Sequence, residues 1–182
     1  YHAIQEFFAF YQLRPPVTPF MQIEFRNPLF LHLICESLNG ENYKELPRGK
    51  LGFQDMLNIC LIYKNKIIAE RCDFDPNNSV VNSALTHITL KMIENQNRYL
   101  KYELVKEITK SIHPTTSFEV SLLNHLEKEG LIAFIEQNKR PFDQPEKLCR
   151  FTFERIADFF IATHLLKNES KETNEQIKFA LK

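Results

Sequence analysis

The chain has no tryptophan and only four glycines among its 182 residues. So few glycines leave little room for the special turns and phosphate-cradling loops that need a residue without a Cβ. They favour helix over an all-β architecture. An excess of one charge is also missing: Lys plus Arg and Asp plus Glu number 23 each. A balanced chain exerts no long-range pull on nucleic acid or an anionic membrane. No apolar run approaches the length that spans a bilayer. The start, Tyr1 to Tyr11, carries a Glu and no cationic lead-in, so no signal peptide is visible. The cysteines at 35, 60, 72 and 149 form no CxxC pair, which disfavours a zinc framework. Cys35 and Cys60 fall within apolar helical patterns, where thiols act as small core residues. The expected compartment is the reducing cytoplasm. The sequons at Asn77 and Asn168 then read as chance.

What is present is helix-forming and apolar. The hydrophobic fraction is 43%, with sixteen Phe, enough for a real core. Residues 1 to 13 read as the end of a helix with no cap before it, and Glu175 to Lys182 is equally uncapped. Flanking domains are therefore expected on both sides. Pro15, Pro16 and Pro19 make a stiff extended linker. Asn27-Pro28 is an N-cap followed by proline at the first helical position. The helix after it, Leu29 to Leu38, is apolar nearly all round and should be buried; Asn39-Gly40 ends it. A long helix over about Gln54 to Cys72 should bury Phe53, Met56, Leu57, Cys60, Ile67 and Ile68. Lys64, Lys66, Glu70 and Arg71 are expected on its wet side.

The run Asp73 to Asn78 is a break. Beyond it Ser79 can cap a helix to about Asn95, and a second helix runs over about Lys101 to Ser111. A third is expected to open at Thr116, with Glu119 at capping-box spacing, and to carry Phe118, Leu122, Leu123 and Leu126 inward. It should stop at Gly130. Strands are expected at Leu131 to Ile135 and Leu148 to Phe153, then a helix from Glu154 to Lys167. Three helices, then strand, loop and strand, is the order of a winged helix. The expected class is mainly α: a helical domain over 1–75, a winged-helix domain over 76–167 with a small two-stranded wing, and the start of a linker or further helical region over 168–182.

Catalytic motifs do not assemble. Pro47-Arg48-Gly49-Lys50 lacks the first glycine of a P-loop, and Leu51 replaces its hydroxyl. No strand ending in paired acids supplies a magnesium site. Asp73, Asp75 and Asn77 imitate a calcium loop, but Asn78 and Ala84 stand where Gly and Glu are required, so a polar turn is expected. The six His are scattered without i, i+4 partners. His32, in an apolar helix, reads as a hydrogen-bonded core or pocket residue. A DNA-reading third helix should be basic. Glu119, Asn124, Glu127, Lys128 and Glu129 are the exposed set expected here, and the wing offers Lys139 and Arg140 against Asp143 and Glu146. Protein interaction is favoured over specific DNA binding.

Two segments together resemble a known family. Phe25-Arg26-Asn27-Pro28-Leu29-Phe30-Leu31-His32-Leu33-Ile34-Cys35-Glu36 resembles the start of the helical domain behind the nucleotide-binding core of STAND signalling ATPases, including NACHT proteins and bacterial antiviral sensors. Arg150-Phe151-Thr152-Phe153-Glu154-Arg155-Ile156-Ala157-Asp158-Phe159-Phe160-Ile161-Ala162 resembles the end of their winged-helix domain. Residues 1 to 167 are covered. The resemblance implies an upstream Walker-bearing core that binds most of ATP or ADP with Mg, a downstream sensor, homo-oligomerisation on activation, and a role in prokaryotic antiviral defence. This segment alone would then be no enzyme and would hold no cofactor.

The resemblance further implies Asn27 and Pro28 at the nucleotide, with Pro28 against adenine. Pro28 as a mere helix starter is the alternative. Arg26 stands where relatives often have Gly, and Phe153 where many aim a His at the ADP phosphate. Arg155 is the candidate replacement, ahead of the neighbouring Glu154; pairing of Arg155 with Asp158 one turn on is the structural alternative. A winged-helix transcription regulator and a stand-alone protein-interaction domain are the competing functions.

Overall fold

The computed structural model describes residues 2–15, 23–47, 52–137 and 145–167. The expected linker positions 16–19, Arg48 and Gly49, the residues Lys139, Arg140 and Asp143 expected in a wing, and the segment 168–182 lie outside them. Within the described residues the protein is mainly helical, with a small three-stranded antiparallel sheet. It divides into two compact units between Ile67 and Ile68, inside one long helix.

The first unit contains α1 (His2–Phe10), a 3-10 turn (Ile23–Arg26), α2 (Pro28–Gly40) and most of α3 (Phe53–Cys72). Asn27 starts α2 as its residue type predicts: Oδ1 accepts from the N–H groups of Leu29 and Phe30, at 3.0 and 3.2 Å. Pro28 follows, losing nothing by its missing N–H. The helix buries Phe30, Leu31, Leu33, Ile34, Cys35 and Leu38. The Phe30 ring meets Phe25 edge-on at 5.6 Å and Phe53 at 5.2 Å. Each such side chain removed from water contributes about 1.5–3 kcal/mol. Gly40 is needed for close approach, because a Cβ there would lie 1.9 Å from the Tyr63 ring.

The second unit runs α4 (Val80–Glu94), β1 (Leu100–Lys101), α5 (Tyr102–Ile112), α6 (Leu122–Lys128), β2 (Ile132–Gln137), β3 (Glu146–Phe151) and α7 (Glu154–Lys167). On α4, Val81, Ala84, Leu85, Ile88 and Met92 are fully buried, at the spacing of a single helix face. The sheet order is β1-β3-β2. Cys149 of β3 sits between Leu100 on one side and Phe134 on the other. Where two strands were expected, the sheet has three, the added one being β1. Its two residues are too few to produce a readable alternation.

Three expectations about α6 are corrected. The helix opens at Leu122, not Thr116, and its cap is Ser121, whose Oγ accepts from the Asn124 N–H at 3.3 Å. Phe118 precedes the helix and is 51% exposed rather than turned inward. Asn124 and Glu129, expected on the surface, are buried. Asn124 donates to the Glu119 carbonyl at 2.8 Å, and Glu129 pairs with Arg71.

The scarcity of glycine shows at the helix ends. At α6 the closure is a Schellman motif: the Leu131 N–H reaches the Leu126 carbonyl at 3.0 Å, and the Gly130 N–H reaches Glu127 at 2.9 Å. Gly130 takes the left-handed position, φ 70°. The same closure ends α1, α2 and α4, but Gln12, Asn42 and Gln96 hold the left-handed residue there, at φ 57°, 61° and 49°. Asp73 does so after α3, at φ 58°. α2 is therefore closed by Asn42, not by the Asn39-Gly40 pair expected.

Candidate functional site

Asn27 and Pro28 come together at the start of α2, and Pro28 is exposed. The side-chain oxygen of Asn27 is committed to capping. Arg155 belongs to the second unit, where it is exposed in the first turn of α7. Asp158, its suggested partner, lies 2.9 Å from Arg98. Phe153 is buried at the foot of the same helix and serves as core.

Around His32 the structure builds a polar chain that joins three elements of the first unit. The His32 ring Nδ1 and the Tyr11 hydroxyl are 2.6 Å apart, and Nε2 lies 3.9 Å from Glu36. Glu36 accepts from Lys64 Nζ at 2.7 Å. Lys64 was expected on the wet side of α3, yet its side chain is only 2% exposed. Burial, followed by the Glu36 charge, pushes the Tyr11 phenol up. His32 itself is half exposed and hydrogen-bonded, on the rim rather than within the core.

The cysteines are packing residues. Burial pushes the Cys35 and Cys149 thiols up to about 12, which suppresses the thiolate that nucleophilic or metal chemistry requires. Asp75 forms a turn, its Oδ1 accepting from the N–H and the side-chain amide of Asn77, both at 2.9 Å.

Among its described residues the second unit includes a cleft between α5 and α6 and a smaller one at the start of α7. The larger, about 220 Å³, lies between α5 and α6 and is lined by Lys106, Lys110, Thr116, Phe118 and Ser121 among others. Val120, near its rim in sequence, is also exposed. The smaller, about 40 Å³, is lined by Arg98, Tyr99, Arg150, Phe151, Glu154 and Ala157. None of these two clefts' cations was singled out from sequence as a group. Arg98 and Arg150 are 52 positions apart, and only the pairing of β1 with β3 draws their segments together.

Comparison with protein families, curated proteins and solved structures finds no match.

Proposed function

We propose that this chain is the regulatory arm of a STAND-type NTPase, a helical domain followed by a winged helix. It serves an upstream ATPase core that binds ATP or ADP with Mg. In the resting state the arm holds ADP; exchange for ATP swings it and permits homo-oligomerisation, in prokaryotic antiviral defence. The observation that carries this reading is the element order of the second unit: helix, strand, helix, helix, strand, strand, with the first strand beside the third. That is the order of a winged helix, and it follows a separate helical unit opened by a capped Asn27-Pro28 start.

In this reading the exposed Pro28 ring offers adenine a flat apolar wall with no N–H, and Arg155 supplies a permanent charge for phosphate oxygens. Chemistry belongs to the core, so the arm contributes binding energy that differs between ADP and ATP states. The segment before α6 and its exposed residues, Glu119 and Lys128 among them, do not form a basic groove-reading face. The cleft between α5 and α6, with Phe118 exposed on it, favours a protein partner as the second reading over a transcription regulator.

The test is the assembly state of the intact protein by light scattering after chromatography, loaded with ADP or with ATP and Mg. A shift from a small species with ADP to a larger one with ATP is expected. One size in both nucleotides overturns the reading.

A further inference from the structure

The cleft between α5 and α6 has an apolar floor beneath a rim of one charge sign. Leu122, Leu123 and Thr109 line it and are buried. The Thr109 hydroxyl is met within its own helix, donating to the Val105 carbonyl at 3.0 Å. Phe118 lines the same cleft with half of its surface open to solvent. An exposed apolar residue is ordinary by itself. Phe118, however, edges a space of about 220 Å³, and an apolar cavity of about 150 Å³ admits a benzene ring. One large side chain therefore fits against Phe118 and the two leucines.

The charge of the rim comes from α5. Lys106 and Lys110, one turn apart, both line the cleft and are exposed. Glu103 and Glu107 share that helix but do not line it, and none of the described lining residues carries a carboxylate. Lys106 lies 3.5 Å from Glu103, both side chains being more than half exposed, and 5.8 Å over the Tyr102 ring. So exposed a pair is weak and yields to a better-placed anion. Lys110 forms no ion pair among the described residues. Thr116 and Ser117, also exposed, add hydroxyls to the lining. Two cations above an apolar floor complement a segment whose carboxylates flank a large apolar side chain. A nucleic-acid backbone would meet the lysines and leave the floor unfilled.

We infer that this cleft docks an acidic protein segment carrying one large apolar anchor. The anchor fills the space against Phe118, Leu122 and Leu123, and carboxylates beside it pair with Lys110 and Lys106. Docking of this kind rests on the protein-partner reading of the cleft and supplies that partner's chemistry. It uses neither Pro28 nor Arg155, so it stands or falls apart from the nucleotide reading.

The experiment is a nitrogen–proton NMR titration of the 182-residue chain with three peptides blocked at both ends. The first is Glu-Glu-Phe-Leu-Glu-Glu, the second has Gln for every Glu, and the third has Ala-Ala for Phe-Leu. The Lys110, Thr116 and Phe118 backbone amides report. Saturable shifts with the first peptide are expected, and the other two should need about tenfold more. Added salt should weaken the first peptide and leave the second unchanged. Lys110→Gln and Phe118→Ser, both at exposed positions, should each raise the half-saturating concentration of the first peptide severalfold. If the Gln peptide binds as tightly as the first, the acidic chemistry is overturned and a protein partner still stands. Equal binding by the Ala-Ala peptide overturns the anchor. No saturable shift with any peptide overturns both the docking and the partner reading. Shifts of the same amides by a short duplex DNA at lower concentration than the first peptide overturn the proposal in favour of a phosphate backbone.

Discussion

Lys64 of α3 donates a 2.7 Å hydrogen bond to Glu36 of α2 with a side chain 2% exposed, while Glu36 is 27% exposed. The pair is therefore unequal: the lysine is sealed and the carboxylate is not. Removing the carboxylate takes its 2.7 Å acceptor from a buried cation, whereas replacing the cation with an apolar chain of similar length leaves a carboxylate that water can reach. Glu36→Ala is expected to cost about 2–4 kcal/mol, and Lys64→Met about 1 kcal/mol or less. Urea midpoints for the two variants check this. Equal losses would mean that the lysine is not the buried partner.

His125 on α6 gives the chain a defined acid sensitivity. It is buried, and burial lowers its pKa; the nearby Arg71 and Lys128 charges lower it further, against Glu129 and the Glu119 carbonyl. The folded state thus prefers the neutral ring. Below the unfolded value near 6.5 the unfolded chain takes up a proton that the folded chain resists. Stability is expected to hold above that value and to fall as pH drops through it. His125→Gln should flatten the fall between about pH 7 and 5. Denaturation midpoints across that range read the difference, and parallel curves for the two proteins would remove His125 as the cause.

Gln96 closes α4 at φ 49°, a conformation in which its Cβ crowds the backbone. Gln96→Gly relieves that strain, at a smaller cost in unfolded-chain entropy. A gain of about 0.5–1 kcal/mol is expected, because the residue is exposed. A thermal melt checks it. A loss of stability would show that the glutamine side chain makes a contact worth more than the strain.

Much of this fold was legible as pattern. Asn27-Pro28, the buried stripe of α4 and the stop at Gly130 were readable because cap chemistry and helical period are local. Lys64 was misread for the opposite reason: its partner Glu36 is 28 positions away, and a lysine in a helix looks solvated until that partner is known. The start of α6 was misplaced because Thr116 and Ser121 offer the same capping hydroxyl. Only the packing of Leu122 onward chooses between them. The Arg98–Arg150 cleft had no sequence signature, since it depends on which strand β1 pairs with. The candidate residues Asn27, Pro28 and Arg155 came from the family resemblance, and each lies at a helix start.

The central claim is that this chain belongs to a nucleotide switch and that Arg155 takes the place of the family's latch histidine. Calorimetric titration of ADP into the intact protein, wild type against Arg155→Ala, tests it most directly. Loss of one charged hydrogen bond to phosphate predicts affinity weaker by about 1–3 kcal/mol, roughly fivefold to a hundredfold or more. Unchanged ADP affinity in a variant that melts like wild type would contradict the latch. Failure of the wild-type intact protein to bind ADP would contradict the nucleotide reading altogether.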